Sequence, residues 1–159
     1  MLPLPATPPA PRGNVLLISC MDLRLLDDTV RFMDAENLTN RYDQFILAGA
    51  ALGAATRQPW GAVLFEHLQV ACDLHQVRDV YILEHRNCGA YKVFLGAEGD
   101  FSDSPEHQQA EHRLHHRYAH ELAAQIRAWG QEHQRPLQVQ CFLMDLRGQV
   151  EPLSAEAAA

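Results

Sequence analysis

No stretch of this 159-residue chain is apolar for long enough to cross a bilayer as a helix, so a membrane-spanning protein is not expected. Positive charge is also in short supply. Thirteen Lys and Arg stand against 20 Asp and Glu, a formal net charge of −7. Nucleic acids and anionic membrane surfaces both need a basic face, so neither is an expected partner. The N-terminal stretch MLPLPATPPAPRGN lacks the basic start and continuous apolar run of a signal peptide. Only four cysteines occur: Cys20, Cys72, Cys88 and Cys141. Without a secretion signal they read as thiols or metal ligands rather than a disulfide framework, and the expected location is the cytoplasm. No C-x-x-C pair is present, which argues against a redox thiol protein. Leu26 stands where a Cys-x5-Arg phosphatase loop would need its arginine.

What is present suits one domain. Residues 1–13, with five prolines in the first eleven, read as an extended arm. Residues 14–153 read as a single domain, and 154–159 as a frayed tail. Apolar runs at 14–19, 42–48, 79–84 and 137–144 read as strands, and 150–153 as an edge strand. Helical spacing of Leu26, Val30 and Met33 predicts a helix over 25–37. A second helix runs from Pro59 to about His75, with Val63, Leu64, His67, Leu68, Ala71 and Leu74 on its face. A third, polar one spans about 106–132. Residues 49–55 read as a small-residue loop and 98–105 as an acidic loop. Solidly apolar strands alternating with helices predict an α/β fold. Its central sheet is mostly parallel, with four strands plus an edge strand, and is flanked by helices.

In such sheets ligands gather beyond the carboxyl ends of the strands. Cys20 ends the first strand, and His85 ends the third, in the run ILEHRNCGAY. Cys88 follows three residues later. Cys20, His85 and Cys88 make a Cys2His set, and three protein ligands with one open position is the catalytic zinc pattern. Gly89 is expected to let the backbone turn tightly after it. If the chain stays extended past Cys20, then Cys20, Asp22 and Arg24 share one side, with Met21 and Leu23 on the other.

C-x-D-x-R followed by H-x-x-C-G across a βαβ segment resembles the beta-class carbonic anhydrases, over about Asn14 to Leu153. The resemblance implies Zn2+ at Cys20, His85 and Cys88, and reversible hydration of carbon dioxide to bicarbonate by zinc-bound hydroxide. It implies an Asp22–Arg24 catalytic dyad in which Asp22 either pairs with Arg24 or swings in as a fourth ligand. It also implies a homodimer or higher even homo-oligomer. The core motifs equally fit a carbonyl sulfide or carbon disulfide hydrolase, or a non-catalytic zinc-binding homologue. Three features depart from the family pattern. Ala48-Gly49-Ala50-Ala51-Leu52 replaces a polar Arg-Asn-Ala-Gly type segment, Glu84 stands where glycine is common, and the proline-rich arm replaces a helical one. The first change predicts a more apolar substrate pocket, suited to a small linear gas.

The remaining candidates have plainer readings. Cys72 and Cys141 are expected in the core. His112, His116 and His120 share a helix face that is either a second metal site or, preferred, a solvated face packed partly on a partner subunit. The 49–53 loop offers N–H groups to an anion or permits close strand–helix packing. Arg86 and Lys92 are expected to be exposed.

Overall fold

The computed structural model describes residues 13–101 and 104–154. The proline-rich arm and the frayed tail lie outside the described residues, apart from Gly13 and Ser154. The strands are β1 (Val15–Cys20), β2 (Tyr42–Leu47), β3 (Asp79–His85), β4 (Gln138–Met144) and β5 (Val150–Pro152). They form one sheet in the order β2-β1-β3-β4-β5. β1 to β4 are parallel, and β5 is antiparallel to β4, as an edge strand. The helices are α1 (Leu26–Ala35), α2 (Ala51–Thr56), α3 (Gln58–His75), α4 (Gly89–Leu95) and α5 (Pro105–Glu132), with a 3-10 turn at Gly96–Gly99.

Side chains alternate across the pleat, so each central strand feeds two cores. Leu16, Ile18, Val80, Ile82, Val139, Cys141 and Leu143 pack with α2, α3 and α5 on one face. Val15, Leu17, Tyr81, Leu83, Phe142 and Met144 pack on the other, against Leu25, Met33 and Leu38. There Phe142 meets Tyr81 and Phe32 at ring-centroid distances of 4.9 and 5.2 Å.

Several expectations need correction. The 49–55 segment is not all loop: after a turn at Gly49 (φ +77°), α2 begins at Ala51. A short helix, α4, follows the zinc-type motif where none is expected. On α1 the inward residues are Thr29 and Met33, while Leu26 and Val30 are 60% and 40% exposed. The sheet selects the row that continues from buried Leu25, and the Thr29 hydroxyl is satisfied by donating to the Leu25 carbonyl at 2.8 Å. On α3, Gly61, Leu64, Leu68, Ala71 and Cys72 face inward, whereas Val63, His67 and Leu74 face out.

The long helix α5 is polar in composition yet deeply packed. Ser104 caps it by accepting the His107 N–H at 3.3 Å. Glu111, His115, Tyr118, Ala119, Leu122, Ala123 and Ile126 recur at helical spacing as its buried row. The face of His112, His116 and His120 is not simply solvated. His116 and His120 donate through Nε2 to the carbonyls of Ser154 and Leu153, at 2.7 and 2.8 Å, and so pin the chain that leaves β5.

Candidate metal centre

β1 to β4 are parallel, so their carboxyl ends share one edge of the sheet. β1 delivers Cys20 there, β3 delivers His85, and the turn after β3 delivers Cys88. Among the described residues these three form a group able to hold a metal ion, with all ligand atoms within 4.8 Å of one another. The two sulfurs are 3.8 Å apart. Two sulfurs each about 2.3 Å from one tetrahedral zinc would be separated by about 3.8 Å, so the spacing suits that ion.

His85 supplies a second fit. The ring is 4% exposed, and Nδ1 lies 2.9 Å from the Arg86 carbonyl, which can only accept. Nδ1 therefore carries the proton and Nε2 presents its lone pair. That buried Nε2 has no hydrogen-bond partner within the protein. An unpaired buried nitrogen facing two thiols is costly as a structural feature and apt as a ligand.

The charges agree. Cys20 is drawn down to about 4, chiefly by the hydrogen bond from Cys88 and also by His85. The same shared proton pushes Cys88 up. Burial acts to lower His85, but the Cys20 thiolate outweighs it, and the imidazole is raised. The proton that Cys20 and Cys88 share is one that a bound cation would displace.

Asp22 and Arg24 reach this site by a turn rather than by an extended strand. β1 ends at Cys20, and the Leu25 N–H returns to the Asp22 carbonyl at 3.3 Å. Asp22 accepts the Arg24 backbone N–H at 2.9 Å, then Arg24 Nε at 2.9 Å and Nη2 at 2.7 Å. This two-pronged bond holds the Asp22 carboxyl down at about 2. Asp22 Oδ2 lies 3.7 Å from His85 Nε2. Arg24 also donates to Asn87, from Nη1 to Oδ1 at 3.2 Å and from Nη2 to the carbonyl at 3.0 Å.

The tight turn between the ligands falls on Asn87, at φ +58°, and not on Gly89. Gly89 opens α4, and a Cβ there would meet nothing within 4 Å. Arg86 is half-buried rather than exposed, pairing with Glu111 at 3.2 Å and Glu151 at 3.3 Å; Lys92 is exposed as expected and pairs with Asp100 at 3.3 Å. Cys72 and Cys141 are buried away from the group, as expected for core thiols.

No protein-family model matches the chain. Uncharacterized proteins of Rickettsia conorii and Rickettsia bellii are each 32% identical to it over 143 residues. The match spans 89% of this chain in both cases, and 72% and 82% of theirs. The chain belongs to the family of these rickettsial proteins. Solved structures then give the fold. The Coccomyxa beta-carbonic anhydrase in complex with acetazolamide superposes at a TM-score of 0.61, with 14% identity, over 90% of this chain and 72% of that one. A tetrameric beta-carbonic anhydrase of Sordaria macrospora gives 0.58 at 15% identity, over 93% and 84%. CafD of Aspergillus fumigatus gives 0.57 at 12%, over 97% and 95%. The fold is that of the beta-carbonic anhydrases.

On this beta-carbonic anhydrase fold, Glu84 is the residue whose role sequence reasoning missed. It is 1% exposed and accepts the Ala51 N–H at 3.0 Å, His115 Nδ1 at 3.1 Å and the Tyr91 hydroxyl. The signal was a carboxylate inside the apolar run DVYILEH, which cannot be buried without partners. Its bond to Ala51 bears on the two readings of the 49–53 loop: one loop N–H serves an internal carboxylate. Close packing is also present, since a Cβ on Gly53 would lie 2.3 Å from the Ala48 carbonyl and 3.0 Å from the Trp60 ring. Ala50, Ala51 and Leu52 are core residues at 1%, 0% and 1% exposure, so they do not make the apolar pocket expected of them. A cavity of about 230 Å³ beside Cys88 is lined instead by Asn87, Gly89, Lys92, Asp100 and Phe101.

Proposed function

We propose that this protein is a zinc-dependent enzyme of the carbonic anhydrase type, a lyase catalysing the reversible hydration of carbon dioxide to bicarbonate. The observation that carries the reading is the buried, unpartnered Nε2 of His85 facing Cys20 and Cys88, with the Asp22–Arg24 pair alongside. Zinc held by these three ligands would acidify a water and so supply a nucleophile at neutral pH.

The remaining work falls to the chain's own side chains. Asp22, ionised down to about pH 2, is an acceptor that aims a water beside His85 without taking its proton. Arg24 keeps that carboxylate ionised. Its charge also offsets the two thiolates, which leave a zinc centre less electrophilic than three imidazoles would. If Arg24 lets go, Asp22 is near enough to become a fourth ligand and close the site. Met21, Leu23, Leu26 and Val30 are 40–89% exposed in the ten residues after Cys20, which supports a second copy covering this region in a homodimer or higher even assembly. We place the enzyme in the cytoplasm; among the described residues no helix is long and apolar enough to cross a membrane.

The test follows carbon dioxide hydration by stopped flow and sulfide release from carbonyl sulfide and carbon disulfide, in one zinc-assayed preparation. Measurable but modest carbon dioxide hydration, reduced in Asp22→Asn, is expected. Rapid sulfide release with negligible hydration would move the assignment to the hydrolases. Full zinc with no activity on any of the three would make the protein a non-catalytic zinc binder.

A further inference from the structure

Behind the metal group lies a second polar cluster that the proposed reaction does not use. Glu111, on α5, is 4% exposed. Its Oε2 accepts the Asn87 N–H at 2.6 Å, and its Oε1 accepts Arg86 Nη1 at 3.2 Å. Arg86 Nη1 is itself steadied by the Gln108 carbonyl at 3.3 Å. His115, fully buried one turn further along α5, lies 3.9 Å from Glu111 Oε2 and bonds Glu84 on the other side. A carboxylate buried this deeply, with a backbone N–H, a guanidinium and an imidazole around it, is fixed in place.

What it fixes is Asn87, which sits between ligands His85 and Cys88 in the left-handed region. A single residue in that conformation needs support from its surroundings. Asn87 presents both its carbonyl and its Oδ1 to Arg24, giving the guanidinium two of its four side-chain bonds; the other two go to Asp22. The line of bonds therefore runs from α5 to the dyad: Glu111 to Asn87, Asn87 to Arg24, Arg24 to Asp22.

We propose that Glu111 is a positioning residue for the Asp22–Arg24 pair, acting through Asn87 to keep Asp22 off the metal. The inference rests on the metal reading above. Removing the Glu111 carboxylate frees Asn87 to leave its strained conformation. Arg24 then loses one of its two anchors, and Asp22 is released toward the ligand group.

The test uses the full chain loaded with cobalt(II), whose visible absorption reports coordination, titrated with thiocyanate as a probe of an open coordination position. Wild type, Glu111→Gln and Glu111→Ala are compared, each also in an Asp22→Ala background. With the metal retained, thiocyanate should bind Glu111→Ala about tenfold more weakly than wild type. Glu111→Gln keeps an acceptor for the Asn87 N–H and should lie between, at about threefold. In the Asp22→Ala background all three should agree within about twofold, because no carboxylate remains to close the site. An equal loss in both backgrounds, or no loss in either, would overturn the role of Glu111 while leaving the metal reading standing. Failure of wild type to take up cobalt would overturn the metal reading and this inference with it. If Glu111→Ala does not fold, Glu111→Gln decides: parity with wild type contradicts the proposal.

Discussion

At the scale of single residues, the four cysteines separate by environment. Cys20 and Cys88 face an imidazole and each other. Cys72 and Cys141 are buried in the hydrophobic core, and burial raises both. His85→Ala and Cys88→Ser should each remove most of the metal, about one zinc per chain in wild type, and lower the melting temperature, since site formation is coupled to folding. Atomic absorption and thermal unfolding of the same samples check this; variants that keep full zinc would count against the ligand set. Cys141 gives a pH prediction that does not involve the metal. Burial, helped by the charge of Glu84, pushes its thiol up from 9.0 to about 12. Above pH 9 the unfolded chain releases this proton and the folded chain keeps it, so stability falls between pH 9 and 12. The loss by pH 10 is about 1.4 kcal/mol. Urea unfolding at pH 7.5 and pH 10 should show a smaller drop for Cys141→Ala than for wild type. Equal drops would contradict the assignment.

At the scale of elements, α2 shows what a sequence conceals. Its residues, ALGAAT, read as loop because small residues carry no apolar periodicity. Their smallness has another cause: α2 is pressed between the β2–α2 turn, α3 and α5. Gly53→Ala tests this. Intrinsic helix propensity would favour alanine by about 1 kcal/mol. The new Cβ, however, would lie 2.3 Å from the Ala48 carbonyl, and overpacking of this kind costs about 1–3 kcal/mol or more. The clash should win, and the urea midpoint should fall; a raised midpoint would mean that α2 yields freely. By contrast, β1 and the centre of β3 were legible because strands buried on both faces are continuous apolar runs, and β4 because it alternates and then ends in the apolar run Cys141–Met144. So was the meeting of Cys20, His85 and Cys88 in a group able to hold a metal ion, since topology alone carries the ends of β1 and β3 to one edge. The turn that brings Arg24 back on Asp22 was not legible. It depends on Asp22 capping the Arg24 N–H and on Asn87, 63 residues away, receiving the guanidinium. On α1 the helical spacing places Met33 correctly but turns Leu26 and Val30 inward in place of Leu25 and Thr29, because Leu25 and Leu26 are both apolar and only the sheet decides between them.

At the scale of the whole molecule, the sheet edge that carries the metal group also borders an exposed apolar surface. Leu23 is 89% exposed and Leu26 is 60% exposed. If a second copy covers them, sedimentation at micromolar concentration should show a dimer or higher even assembly. Leu23→Glu combined with Leu26→Glu should shift it toward monomer. A wild-type monomer would contradict this. The same surface lies just beyond Cys20, so assembly and catalysis should be lost together in that variant if the neighbour shields the site. The most direct test of the central claim is stopped-flow hydration of carbon dioxide by wild-type protein and Cys20→Ser, with zinc determined in each sample. Hydration that scales with bound zinc and disappears in Cys20→Ser is the predicted result. A fully zinc-loaded wild type that does no better than the uncatalysed reaction would contradict it.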